Sequence, residues 1–243
     1  RVITLSLIPQ ANHYVQLSWM DPREAFTENY HWPNQAAELL ALLRDIGISH
    51  IHYHHLLGVH PQIMLIPQQL GVSYDFTAHD YYTACPQIAL ITSANGYCGE
   101  KGQAQCEACL AQRPSPTGEN ILDWRLRHTL FLNGATNVLA PSRDSARRLL
   151  RYFPSAHIHF APHTDIDSGT HTPCPEPQPI SKHAHLRVLV IGAVNEVKGG
   201  DILEATAIEA ARMNAPIEFH LMGYAHRALA TQPRASLSVH GPY

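Results

Sequence analysis

Runs of strand-forming residues alternate along this chain with runs of helical periodicity, and that order limits the fold. A helix between two strands lets the second run in the same direction as the first, so the pattern predicts an α/β architecture on parallel sheet. The strand-like runs are Val2 to Ile8, His50 to His54, Ser73 to His79, Asn137 to Pro141, His157 to Ala161, Arg187 to Gly192, Ile217 to Gly223 and Leu237 to Gly241. Among the helices, Asn34 is a candidate cap for one in which Ala36, Leu39, Leu40, Leu43 and Ile46 recur at helical spacing up to Gly47. A second is predicted from Asn120 through Trp124, Leu126, Leu130 and Phe131 to Asn133-Gly134. A third begins at Ser142, carries Asp144 in its first turn and Leu149, Leu150 and Phe153 beyond, and ends at Pro154. A fourth runs from Gly200 to Met213.

Periodicity lapses from Gly169 to His185, where Pro173, Pro175, Pro177 and Pro179 impose extended backbone with few donors. The sequence therefore predicts a domain over 1–168, a linker over 169–185 and the start of a second domain over 186–243. With 243 residues, 45% of them hydrophobic, the chain can bury two modest cores. Its net charge is -3 and no basic block is present, which argues against nucleic acid as a partner. No apolar run reaches the roughly 18 residues that span a bilayer, and no signal-peptide pattern opens the chain. The expected location is cytoplasmic, with a peripheral contact at the inner membrane face left open. Both ends, Arg1 before an apolar run and Tyr243 just past a strand, read as cuts through a fold.

Four stretches carry candidate chemistry. The first is the strand Arg187 to Gly192 followed by Ala193-Val194-Asn195-Glu196-Val197-Lys198-Gly199-Gly200. A helix opening there offers its free N–H groups and positive dipole end to an anion. Gly199 and Gly200 let backbone come close, and Lys198 supplies a point charge suited to a diphosphate. An ordinary exposed strand-to-helix turn accounts for the same residues equally well. The second is His79-Asp80, at the carboxyl end of a strand-like run, where open α/β sheets hold ligands. His79 can face a substrate there, and Asp80 can orient an imidazole or bind a sugar hydroxyl. A histidine in a buried polar network is the competing reading.

The third stretch is Cys85-x12-Cys98-x7-Cys106-x2-Cys109, within a Cys-rich insertion over 85–109. Four thiolates can complete a tetrahedral structural Zn²⁺ shell, with His79 and His128 as reserve ligands. Reduced or redox thiols and, more remotely, an iron–sulfur cluster stay open. The fourth is His50-Ile51-His52-Tyr53-His54-His55, continuing through Gly58 to His60. His50, His52 and His54 share one face of a strand, but no carboxylate lies close in sequence. A solvated or substrate-facing strand end is the better reading than a metal site.

Taken in order, "H-x-H-H-L-L-G", "H-D-Y-Y-x-x-C-P" with its trailing cysteines, "V-L-A-P-S-R-D-S-A-R-R-L-L" and "P-H-T" resemble the later half of the N-terminal domain of family 4 glycosyltransferases of GT-B fold. After the linker, "V-L-V-I-G-A-V-N-E-V-K-G-G-D-I-L", "F-H-L-M-G-Y" and "V-H-G-P-Y" are similar to the first half of that family's C-terminal domain. The resemblance implies two Rossmann-like, doubly wound domains, both incomplete here, and surface-polysaccharide or lipopolysaccharide synthesis. It implies retaining transfer of a sugar from a nucleoside-diphosphate donor to a hydroxyl of a carbohydrate or lipid-linked acceptor, with no catalytic metal.

By the same resemblance His79 and Asp80 stand at the reacting sugar. Gly192, Lys198, Gly199, Gly200 and Tyr243 hold the donor, and His54, His55 and Gly58 lie on the acceptor side. Two departures matter. Ala193 stands where the family commonly has a basic residue, and neither the E-x7-E segment nor the N-terminal Gly-rich loop is within this chain. A chain lacking those parts is not expected to turn over on its own, and a non-catalytic, metal-stabilised binding domain of the same fold is the alternative.

Overall fold

The computed structural model describes residues 3–7, 14–20, 25–162, 176, 185–225 and 236–241. Most of the expected 169–185 linker, with Cys174, and Tyr243 lie outside these residues. The chain divides into two compact units, Arg1–Ser93 with Tyr97–Asp165, and Ala94–Gly96 with Ile166–Tyr243.

The first unit opens with β1 (Ile3–Leu7), β2 (Tyr14–Met20) and β3 (Ala25–His31), an antiparallel sheet in the order β1-β2-β3. The first strand-like run thus lies outside any parallel sheet, a correction to the alternation reading. The cause is visible in β2, where Val15 and Leu17 are buried while Gln16 and Ser18 are not. That period of two, between short connections, builds hairpins. Helix α1 (Ala36–Ile46) buries Leu39, Leu40 and Leu43 and ends at left-handed Gly47. Gly47 and Ile48 N–H groups return to Arg44 and Leu43 carbonyls at 2.9 and 3.1 Å, satisfying the last turn. Asn34 is not its cap: Gln35 holds that position without a side-chain cap bond, because its Oε1 instead accepts the His31 N–H at 2.7 Å.

A four-stranded parallel sheet follows, β4 (His50–Tyr53), β5 (Ser73–Thr77), β6 (Asn137–Ala140) and β7 (Ile158–Phe160), in that order across the sheet. Its helices are α2 (Ile66–Leu70), α3 (Gln103–Gln112), α4 (Ile121–Gly134) and α5 (Arg143–Tyr152). Asn120 caps α4 through the Leu122 and Asp123 N–H groups, and Ser142 and Ser145 form a reciprocal capping box on α5. α4 lays Ile121, Trp124, His128, Phe131 and Leu132 into a core shared with Tyr53, Phe76, Val138 and Phe153.

The second unit is β8 (Leu186–Ile191), α6 (Gly200–Arg212), β9 (Ile217–Met222) and β10 (Leu237–Gly241), a parallel sheet ordered β10-β9-β8. Ala207 and Ala210 of α6 pack on Phe219 and Val188. Leu189 and Ile191, on the other face of β8, are 58% and 63% exposed. The architecture is α/β, with two parallel sheets and a small antiparallel one. Among the described residues, no helix is long and apolar enough to cross a membrane.

His128 is fully buried, so it is a core residue of α4 rather than a reserve metal ligand. Its Nδ1–H donates to the Trp124 carbonyl at 2.8 Å, which leaves Nε2 buried without a partner. Burial pushes its pKa down to about 4, because a protonated ring would bury an uncompensated charge. Below pH 6.5 the unfolded chain binds a proton that the folded chain refuses, so stability falls as pH drops from 6.5 toward 4. The loss is on the order of 3 kcal/mol. Urea unfolding at pH 7.5 and 4.5 should show a smaller difference for His128→Leu than for the unmodified chain, and equal differences would remove His128 as the cause.

Candidate functional site

Parallel pairing of β4 with β5 aligns His50 with Ser73 and His52 with Asp75. Alternation then sends Ile51, Tyr53, Tyr74 and Phe76 to the core side and leaves a polar row on the other face. His50 Nδ1 meets Ser73 Oγ at 2.8 Å and its Nε2 meets Asp75 Oδ2 at 3.1 Å. His52 Nε2 meets Thr77 Oγ1 at 2.7 Å. Past the strand ends the row continues, with His54 Nδ1 and His79 Nε2 3.2 Å apart and His55 Nε2 and Asp80 Oδ2 2.5 Å apart. The sequence brings none of these partners close, because each His pairs with a residue 25 positions later.

Roles within the row differ. His55 Nδ1 accepts the Leu57 N–H at 2.8 Å, so that nitrogen carries no proton and Nε2–H donates to Asp80. The other Asp80 oxygen accepts the Tyr82 N–H at 2.8 Å. Both nitrogens of His55 and both oxygens of Asp80 are therefore engaged, which makes Asp80 a group that positions the loop. His54 and His79 are exposed. His54 also stacks on His52, ring centroids 4.6 Å apart. Burial, then the neighbouring His54, lowers the His52 pKa. An imidazole nitrogen can donate to or accept from a hydroxyl, so two exposed rings side by side are equipped for hydroxyl recognition.

Gly58 has φ 74 and sits in the turn closed by the Val59 N–H on the Leu56 carbonyl at 3.2 Å. It lines a cavity of mixed character with Trp32, Leu56, Met64, Tyr82, Thr117 and Arg127. The Trp32 indole N–H is buried without a partner.

In the second unit, Gly192 and Gly223 leave adjacent strand ends with φ 121 and 129. A Cβ on Gly223 would lie 2.4 Å from the Gly192 carbonyl oxygen, so no side chain fits between them. Beyond Gly192, the Asn195 side chain accepts the Lys198 N–H at 3.0 Å, and its carbonyl accepts the Gly200 N–H at 2.8 Å. Gly199 takes φ 79 at the helix cap, and a Cβ on Gly200 would come 3.0 Å from the Asn195 carbonyl. Turn geometry alone thus accounts for both glycines. Lys198 is exposed beside a helix start that has no side-chain cap, while Asp201 places a carboxylate in the first turn. Tyr243, the remaining donor candidate, is outside the described residues.

Cys85, Cys98, Cys106 and Cys109 are free thiols and line a single cavity of the first unit. Burial pushes the Cys85 thiol up to about 11, which removes it as a nucleophile at neutral pH. As they stand, no group of three or more His, Cys, Asp or Glu among the described residues is arranged to hold a metal ion. Sequence reasoning missed Glu100, which Arg148, Arg151, Tyr97 and Tyr152 surround. Hydrogen bonds from these groups offset the burial of Glu100 and hold its carboxyl below the ordinary range. The only signal for it lay in the Arg-rich face of α5.

Removing the Asp80 carboxylate leaves the Tyr82 N–H and the His55 N–H without their acceptor. Asp80→Ala should cost about 1 to 3 kcal/mol in urea unfolding, while His54→Ala, at an exposed position, should cost under about 1. Equal costs would mean that Asp80 does not hold the loop. Comparison with known protein families and with curated proteins finds no match for this chain.

Proposed function

We propose that this chain serves glycosyl transfer, moving a sugar from a nucleoside diphosphate to a hydroxyl of a carbohydrate or lipid-linked acceptor in surface-polysaccharide synthesis. The observation that carries the reading is the polar row of β4 and β5. It ends at the carboxyl edge of a parallel sheet, the edge at which open α/β sheets bind ligands, in the exposed His54–His79 pair. In this reading both units are Rossmann-like, as in a GT-B enzyme, with 1–168 on the acceptor side and 186–243 on the donor side of the 169–185 linker. His79 hydrogen-bonds a hydroxyl of the reacting sugar, and His54 and the cavity beside Gly58 receive the acceptor. Asp80 acts through His55 and the loop.

On the donor side, the glycine-edged ends of β8 and β9 admit a ligand to backbone, and the Lys198 ammonium with the first turn of α6 meets the diphosphate. As the glycosidic bond to the leaving phosphate breaks, negative charge grows on the bridging oxygen. A cation that reaches that oxygen, together with the helix dipole, lowers the barrier without a catalytic metal. Retention at the sugar carbon rests on the resemblance alone. A cytoplasmic site with peripheral membrane contact suits a lipid-linked acceptor.

One observation favours the alternative of a non-catalytic binding domain: Asp201 brings a negative charge to the same helix start as Lys198. Calorimetry with UDP, GDP and dTDP separates the two. Transfer predicts binding of at least one nucleotide, weakened about 5- to 150-fold by Lys198→Ala, the equivalent of 1 to 3 kcal/mol for a charged hydrogen bond. Affinity unchanged by Lys198→Ala takes the lysine out of the site. Carbohydrate binding with no nucleotide binding supports the alternative.

A further inference from the structure

The segment from Cys85 to Gly102 has little regular structure, with a lone antiparallel bridge between Ile91 and Tyr97. It nevertheless keeps costly backbone: Ile88, Leu90, Asn95 and Glu100 have φ of 60, 55, 58 and 52. A β-branched residue such as Ile88 in that region is a true outlier, and such strain persists only where surrounding contacts over-determine it. One side of the segment has such contacts, the Glu100 cluster with Arg148 and Arg151 of α5. The other side has the cavity that all four cysteines line.

Donor groups face three of the four sulfurs. The Glu100 N–H donates to Cys98 Sγ at 3.4 Å, and the Gln87 N–H faces Cys85 Sγ. Both donors lie two residues beyond their cysteine, so each sulfur sits in a tight turn that turns an amide toward it. Cys106 and Cys109 are three apart on α3 and project from one face of the helix. Arg125 Nη2 reaches Cys106 Sγ at 3.4 Å, and Lys101 lines the same cavity. Two amides and two cations are the partners that a four-thiolate centre, with its surplus negative charge, requires.

We propose that Cys85, Cys98, Cys106 and Cys109 bind one structural Zn²⁺, which pins the insertion to α3 and to the loop that carries His79 and Asp80. The sulfurs now stand around the cavity wall rather than gathered at a point. Binding draws the four sulfurs in from the wall to bonds of about 2.3 Å around a tetrahedral ion. The thiol protons leave to solvent as the metal enters. The clamp reaches the polar row directly, because the Cys85 N–H bonds the Tyr81 carbonyl at 2.9 Å and Tyr81 N–H bonds the Ile88 carbonyl at 3.0 Å. With four sulfurs the shell is closed, so the ion organises this region and does no chemistry.

Elemental analysis of the full chain, purified without added metal or chelator, should find about one zinc per chain. Replacement by Co²⁺ should give the intense sulfur-to-metal charge-transfer and visible bands of a tetrahedral thiolate site. Cys109→Ser should lose those bands and retain at least tenfold less zinc after dialysis against chelator, while Cys174→Ser retains it. Should Cys109→Ser fail to fold, the Co²⁺ spectrum of the unmodified chain decides. A chain without metal whose thiols all titrate, a disulfide among the four cysteines, or bound iron with sulfide would each overturn the assignment.

Discussion

The register between β4 and β5 is the constraint on which the candidate site depends. Two parallel strands locked residue against residue carry a fixed sequence offset, and side-chain alternation puts every second residue on the same face. His50, His52 and His54 therefore face Asp75, Thr77 and His79, and the offset survives one residue further to join His55 to Asp80. A slip of one residue would turn Ile51 and Tyr53 outward and set the histidines against Phe131 and the rest of the core. The apolar face thus enforces the polar one. Tyr53 and Phe76, packed edge-on against Phe131 of α4, fix which way each imidazole points.

That dependence explains what could be read in advance. The parallel-sheet strands were legible because short runs rich in β-branched, aromatic and other apolar residues sit between turn residues, and α4 and α5 because Asn120 and Ser142 are strong caps before periodic apolar residues. The hairpin of β2 and β3 was not read, since Val15 and Leu17 alone mark its buried face among polar neighbours. α3 buries only Leu110 of its ten residues, so it has no apolar stripe to detect. His79 and Asp80 stood out as residues at a strand end, but their partners did not. A 25-residue offset is a property of the pairing, and no local pattern announces it.

The histidines also show why residue type is a poor guide to role. His128 and His79 were interchangeable as reserve ligands in sequence. One is sealed against Trp124 and Tyr82 with its ring neutral, and the other lies in solvent at a strand end. His55, beside exposed His54, has both nitrogens committed to the loop. Contact with a substrate asks for accessibility, and in the His54–His79 pair two exposed imidazoles meet past the strand ends, where His50 and His55 are instead held by Asp75 and Asp80.

At the second strand edge the electrostatics run in two directions. Positive φ at Gly192, Gly199 and Gly223 and a tight approach to the Asn195 carbonyl at Gly200 favour glycine whatever binds there, so the glycines permit a ligand without identifying one. What discriminates is the charge at the start of α6. Lys198 and Asp201 are three residues apart, and both are exposed, so water screens each of them heavily. A diphosphate bound at the helix end would gain from Lys198 and from the helix dipole and lose part of that gain to Asp201. A net attraction survives only if the ammonium lies nearer the phosphate oxygens than the carboxylate does. The long, flexible lysine stem can reach toward an anion, whereas the short aspartate is held close to the helix backbone. That asymmetry in reach is the physical ground for preferring an anion at this edge.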